Sequence, residues 1–124
     1  MDGTAKNFSL IATAVALVAF ANVVLKLRVT ALSGGALGSW LSYMLSLALD
    51  PWVWTAVIAA VAGGVVYVTV LRQLELSVLE PLFALVFIIV PLAAVFVLGE
   101  HLPPLRIAGI VLIFVGVILV GRTA

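Results

Sequence analysis

The sequence predicts an all-α integral membrane protein: four transmembrane helices, with a short interfacial or re-entrant helix between the first and second. Three observations lead there. Of 124 residues, 66% are hydrophobic and only 9% charged, and the mean hydropathy is +1.43. A soluble domain of this size buries too little surface to hide so much apolar material. The apolar residues fall into four stretches with charges at their borders, and each stretch is long enough to cross a ~30 Å hydrocarbon core, which takes roughly 17–25 residues of helix. A bilayer core also offers no partner to open backbone groups, so such stretches fold as helices.

The first span covers about 8–27 and closes on Lys26-Leu27-Arg28. Its apolar stretch is longer than a signal-peptide core and no A-x-A-like site precedes Lys26, so it is expected to be retained. A long link follows. It contains Ser33-Gly34-Gly35 and then an apolar segment, about 36–49, too short to span and therefore interfacial or re-entrant. Trp40, Tyr43, Trp52 and Trp54 bracket it as headgroup-level anchors. The second span, about 52–71, starts after Asp50-Pro51 and stops at Arg72. The turn Arg72-Gln73-Leu74-Glu75 leads into the third span, about 76–98, in which Pro81 and Pro91 are expected to kink the helix. Gly99 is a helix-ending residue, and Pro103-Pro104 stands where the fourth span, about 105–121, begins. Short links of this kind join antiparallel neighbours, and the whole chain, 1–124, reads as one domain.

Charge excludes several functions and locates others. A net charge of +1 provides no basic field for nucleic acid. Cysteine is absent and there is one histidine, so no metal centre or disulfide framework is expected. No nucleophile–base pair is apparent either; neither an enzyme nor a cofactor is expected. Four spans place both ends of the chain on one side, with Lys6, Arg72 and Arg122; the other side carries Lys26, Arg28 and Arg106. Lys/Arg imbalance between loops orients a membrane protein, and here the two sides tie. A chain of this kind can insert both ways and pair with an inverted copy, or take its orientation from a partner.

Glu80 is the only acid within a span. An ionisable residue in the bilayer is costly and marks a functional site by default; the plainer reading is a helix-end glutamate reaching the headgroups. Lys26, Arg28 and Arg106 read most plainly as flanking cations that snorkel to the headgroups. Asn22 lies one turn before Lys26 and shares its face. Tyr67 is expected to pack in the second span and bond a neighbour. Gly109 and Gly116 are seven apart on one face of the fourth helix, where small residues permit close helix approach, either to a second chain or to this chain's own helices. Gly63-Gly64 soften the second helix or admit a bulky ligand.

Three groups of residues carry a resemblance: Leu76-Ser77-Val78-Leu79-Glu80-Pro81-Leu82, Leu98-Gly99-Glu100-His101-Leu102, and the run from Ile107 to Val117 with its spaced glycines. They resemble the third helix, the LGE-x-L loop and the final helix of the drug/metabolite transporter (EamA-like) superfamily. At four spans the chain resembles two small branches: the paired subunits that flip undecaprenyl-phosphate-linked aminoarabinose and, more distantly, the small multidrug resistance exporters. The second branch carries an essential carboxylate in its first helix, eight residues before the lysine. Here that position is Val18. The third helix is closer to the Tyr-Pro-hydrophobic pattern of the flippase branch, with Glu80 in place of the tyrosine.

The resemblance implies a multi-pass protein of the bacterial inner membrane that flips a polyprenyl-phosphate-linked sugar or related lipid. It would do so as an antiparallel homodimer or with a paired homologous subunit, with Gly109 and Gly116 at the dimer contact. On that mechanism Lys26, Arg28 and Arg106 would hold the phosphate, Glu80 a sugar hydroxyl or amine, and Asn22 would add a polar contact on the Lys26 face, with Tyr67 among the substrate-binding or coupling residues. Two alternatives stand beside it: a proton-coupled exporter of small molecules using Glu80, and a non-transporting subunit of a partner enzyme.

Overall fold

The computed structural model describes residues 2–33 and 40–123. Six helices follow in order: α1 (Asp2–Ser33), α2 (Trp40–Leu49), α3 (Pro51–Leu71), α4 (Leu76–Phe83), α5 (Val86–Leu98) and α6 (Pro104–Gly121). Four stretches have the length and composition to cross a membrane: Ala5–Leu32, Pro51–Leu71, Leu76–Leu98 and Pro104–Gly121. The short α2 lies between the first two spans. The molecule is therefore the multi-pass helical protein that its composition predicts. The first residues of the expected 36–49 segment, 36–39, lie outside the described residues.

Two elements differ from their sequence-based outlines. Helix α1 does not stop near residue 27 but continues to Ser33. Nothing after Arg28 breaks a helix until Gly34, and the extra turns carry α1 to about 48 Å, well beyond the hydrocarbon core. The third span is two helices rather than one. Pro81 has no N–H for the carbonyl one turn back and crowds that turn. One turn further on the ladder tightens: Leu85 N–H bonds the Leu82 carbonyl at 3.2 Å and Phe87 N–H that of Ala84 at 2.9 Å. These are three-residue spacings, the mark of a local 3₁₀ turn. The joint falls at Ala84–Leu85, after Pro81; Pro91 lies inside α5, which remains helical around it.

The remaining ends follow from local chemistry. Asp50 caps α3, its side chain accepting the Trp52 N–H at 2.8 Å with Pro51 in the first helical position. Gly99 takes φ 68°, the left-handed conformation open to glycine, and ends α5. Pro104 opens α6.

Helix α1 is the centre of the bundle. It lies along α3, touches α4 and α5 on another side, and leaves α6 to lean on α4 and α5. Toward the end that carries the 72–75 turn, a core of Ile11, Val15, Val70, Leu79, Leu82, Val86 and Val117 joins all four spans. Toward the other end a second cluster contains only α1 and α3 residues: Ala21, Val24, Ala56 and Ala59. Gly63 lies between the two clusters. A Cβ there would meet Val18 Cγ2 at 3.1 Å and the Ala14 carbonyl oxygen at 3.3 Å, so glycine lets the two helices close up. The outer surface is apolar, with Phe96 and Leu105 almost fully exposed, as expected of a surface that faces lipid rather than water.

Candidate functional site

The 72–75 turn is short enough to bring the end of α3 against the start of α4. Leu79 and Leu82 turn into the core, Leu79 with no exposure at all. This leaves Glu80 on the other face of α4, while Phe83, one turn after Leu79, is half-buried against the same core. Glu80 is exposed, about one helical turn inside the span. Tyr67 stands at the same depth on α3, and its hydroxyl donates to the Glu80 Oε1. The ring of Phe83 meets that of Tyr67 edge-on, with centroids 5.1 Å apart at 77°. Among the described residues no other hydrogen bond or ion pair reaches the Glu80 carboxylate. The result is a carboxylate held from one side by a phenol whose ring packs in turn on Phe83, within an apolar span.

A second polar cluster lies at the far end of α1. Arg28 pairs with Asp50: Nε donates to Oδ2 at 2.7 Å, and a terminal nitrogen lies 2.6 Å from the same oxygen. Burial raises the Asp50 pKa. The Arg28 bond, the Trp52 and Val53 amides and the Arg28 charge outweigh it and hold the carboxyl below its ordinary value. Helix α2 is strapped to the same corner. Tyr43 donates its hydroxyl to the Val29 carbonyl at 3.0 Å, and the Trp54 indole donates to the Ala48 carbonyl at 2.6 Å. An apolar groove beside this corner is lined by Val24, Leu27, Arg28, Ala31 and Trp52.

The structure thus brings together two of the residues singled out from the sequence, Glu80 and Tyr67, and separates the rest. Lys26 and Asn22 are exposed on α1, away from the Arg28 face. They lie near the end of the molecule opposite Glu80. Among the described residues Arg106 reaches the His101 carbonyl alone, at 3.5 Å. A Cβ added at Gly109 or Gly116 would find no described atom within 4 Å. Sequence reasoning did not assign Asp50 as the partner of Arg28. The signal was present in an acid immediately before a helix-starting proline, at the same end as two cations.

Helices that only cross a membrane need no polar contact between them. Four spans with one carboxylate–phenol pair between two of them define a small multi-pass membrane protein with a polar site inside its bilayer-spanning part. Comparison with known proteins then gives particular relatives. The chain is similar to the probable 4-amino-4-deoxy-L-arabinose-phosphoundecaprenol flippase subunit ArnE of Pseudomonas aeruginosa (strain UCBPP-PA14), 39% identical over 75 residues, 60% of this chain and 65% of that protein. Proteins of the same name in Pseudomonas paraeruginosa (strain DSM 24068 / PA7) and Pseudomonas fluorescens (strain Pf0-1) are each 37% identical, over 75 and 73 residues. These matches cover 60% and 59% of this chain and 65% and 64% of the relatives. The match spans just under two thirds of the length of each. No family profile matches the chain, and no solved structure does. The resemblance to the lipid-sugar flippase branch, read from the residues, is borne out by these relatives.

Proposed function

We propose that this chain is one subunit of a bacterial inner-membrane flippase that carries a polyprenyl-phosphate-linked sugar across the bilayer, moving its substrate rather than transforming it. The observation that carries this reading is the Tyr67–Glu80 contact: a polar pair inside the spans of a chain whose relatives bear the name of flippase subunits. Such a pair suits a sugar head group that has left the water. Lys26, unpaired in its own chain among the described residues and accompanied by Asn22, suits the phosphate. The groove beside Arg28 and Trp52 is apolar enough for a prenyl tail.

Glu80 and Lys26 belong to opposite ends of one chain, so the two halves of a lipid-linked sugar would meet them together only across a pair of chains. An inverted second copy, or a homologous subunit in its place, supplies that geometry. The unoccupied faces around Gly109 and Gly116 support such pairing.

The test is transport in proteoliposomes. A fluorescent polyprenyl-phosphate sugar is placed in one leaflet, and its arrival in the other is followed by quenching with a membrane-impermeant reductant. The protein, alone or with the homologous subunit, is expected to speed the exchange, and Lys26→Ala to slow it. Exchange no faster than in protein-free vesicles under both conditions would overturn the proposal.

A further inference from the structure

Helix α3 buries Ala56, Ala59, Gly63 and Val70, and its opposite face is open. Val61, Gly64, Val65, Val68, Thr69 and Arg72 recur along that face at helical spacing and line one shallow groove of about 500 Å³. At the end that carries the 72–75 turn, the groove adjoins a more polar hollow of about 290 Å³, lined by Thr69, Arg72 and Gln73. Gly64 leaves a notch between the valines: a Cβ there would meet no described atom within 4 Å. Glycine costs an interior helix position about 1 kcal/mol relative to alanine. Gly63 has a packing reason for that cost; Gly64 has none within this chain. The Thr69 hydroxyl donates to the Val65 carbonyl at 2.9 Å. The Arg72 guanidinium makes no ion pair or side-chain hydrogen bond among the described residues, and no carboxylate lines either hollow.

Length and charge together select the occupant. Arg72 lies eleven residues beyond Val61, a rise of about 16 Å. That is half of a ~30 Å hydrocarbon core, so the groove runs from headgroup level to the midplane, the depth of one leaflet. A helix of a partner chain would lie across both leaflets. A lipid tail lies in one, with its phosphate at the level of Arg72. A guanidinium offers phosphate two parallel hydrogen bonds. Because no carboxylate lines the site to accept a headgroup cation, the local charge favours a lipid that is negative overall. We propose that this face of α3 binds one anionic diacyl phospholipid of the surrounding membrane, an acyl chain lying over Gly64 and the phosphate on Arg72, with the Gln73 amide as a second donor. Tyr67 and Glu80 line neither hollow. The lipid is therefore a fixture of the protein rather than its cargo, whatever the chain transports.

Native mass spectrometry of the purified full chain, released from nanodiscs of equal parts phosphatidylglycerol and phosphatidylcholine, counts the lipids that stay bound. Phosphatidylglycerol is expected to be retained in preference to phosphatidylcholine by about tenfold, the order of one hydrogen bond to a charged group. Arg72→Gln should remove that preference. Arg72→Lys should keep part of it, since lysine retains the charge but not the fork. Gly64→Leu, which has open space around it, should fill the groove and lower retention of both lipids. Lys6→Gln and Arg122→Gln, cations of the same membrane side that line neither hollow, should keep the preference. Equal retention of the two lipids by the unmodified protein overturns the site. So does a preference that survives Arg72→Gln, or one that Lys6→Gln and Arg122→Gln lower as much, which would mark diffuse surface charge. Displacement of phosphatidylglycerol by added polyprenyl phosphate would make the groove a cargo site and overturn the assignment to a resident lipid. Lipid-free dimers would overturn it in favour of a second copy of the chain.

Discussion

At the scale of single residues, two carboxylates have opposite circumstances. Glu80 has one neutral donor and an open side; Asp50 has an arginine and two backbone amides. Asp50 therefore serves structure, tying the start of α3 to α1 and, through its neighbours, to α2. Asp50→Asn is expected to loosen that corner, read as faster hydrogen exchange at the Trp52 and Val53 amides with little change around Glu80. The pH dependence has a definite sign. Because the folded-state pKa of Asp50 is depressed, its contribution is complete above the ordinary carboxylate value of 3.8. It is lost as pH falls through the lower folded value. Asp50→Asn should flatten that acid limb in a thermal-unfolding series. Glu80 was legible in the sequence because a lone acid in an apolar run needs no structure to be noticed. The Arg28–Asp50 pair was not, since the two residues are 22 apart and meet only once α1 and α3 lie side by side.

At the scale of elements, the two adjacent glycines of α3 do different work. Gly63 faces α1 so closely that an added Cβ meets Val18 and the Ala14 carbonyl, whereas a Cβ on Gly64 meets nothing within 4 Å. Backbone cannot yield as a flexible side chain can. Gly63→Val is expected to destabilise the α1–α3 contact by about 1–3 kcal/mol, the usual cost of overpacking. Gly64→Val should leave it unchanged. Unfolding by denaturing detergent in mixed micelles compares the two. The sequence offered both glycines as one flexible or ligand-admitting spot, because a helix assigned from hydropathy alone has no defined inner face. Pattern did place the four spans, since length and apolarity are properties of the chain by itself. It did not place the joint at Ala84–Leu85, because the bonds that tighten there follow from how the backbone accommodates Pro81 a turn earlier.

At the scale of the whole molecule, orientation is the open physical variable. The Lys and Arg residues number three on each side, so the loop-charge rule names no direction of insertion. The chain has no cysteine of its own, so single reporters are straightforward to introduce. Gln73→Cys in the α3–α4 turn and His101→Cys in the α5–α6 turn lie on opposite sides of the membrane. With an impermeant thiol reagent applied to intact cells, each is expected to label in roughly half of the population if neither direction is favoured. Labelling of one and complete protection of the other would show a single orientation and remove the inverted pair of identical chains, leaving a homologous subunit as the partner.

Leu79 and Glu80 are consecutive residues, one gripping the core that unites all four spans and the other facing outward with its charge. They share a two-turn helix that ends at the Ala84–Leu85 joint. A load applied to the acid is therefore applied, across a single peptide bond, to the keystone of the bundle.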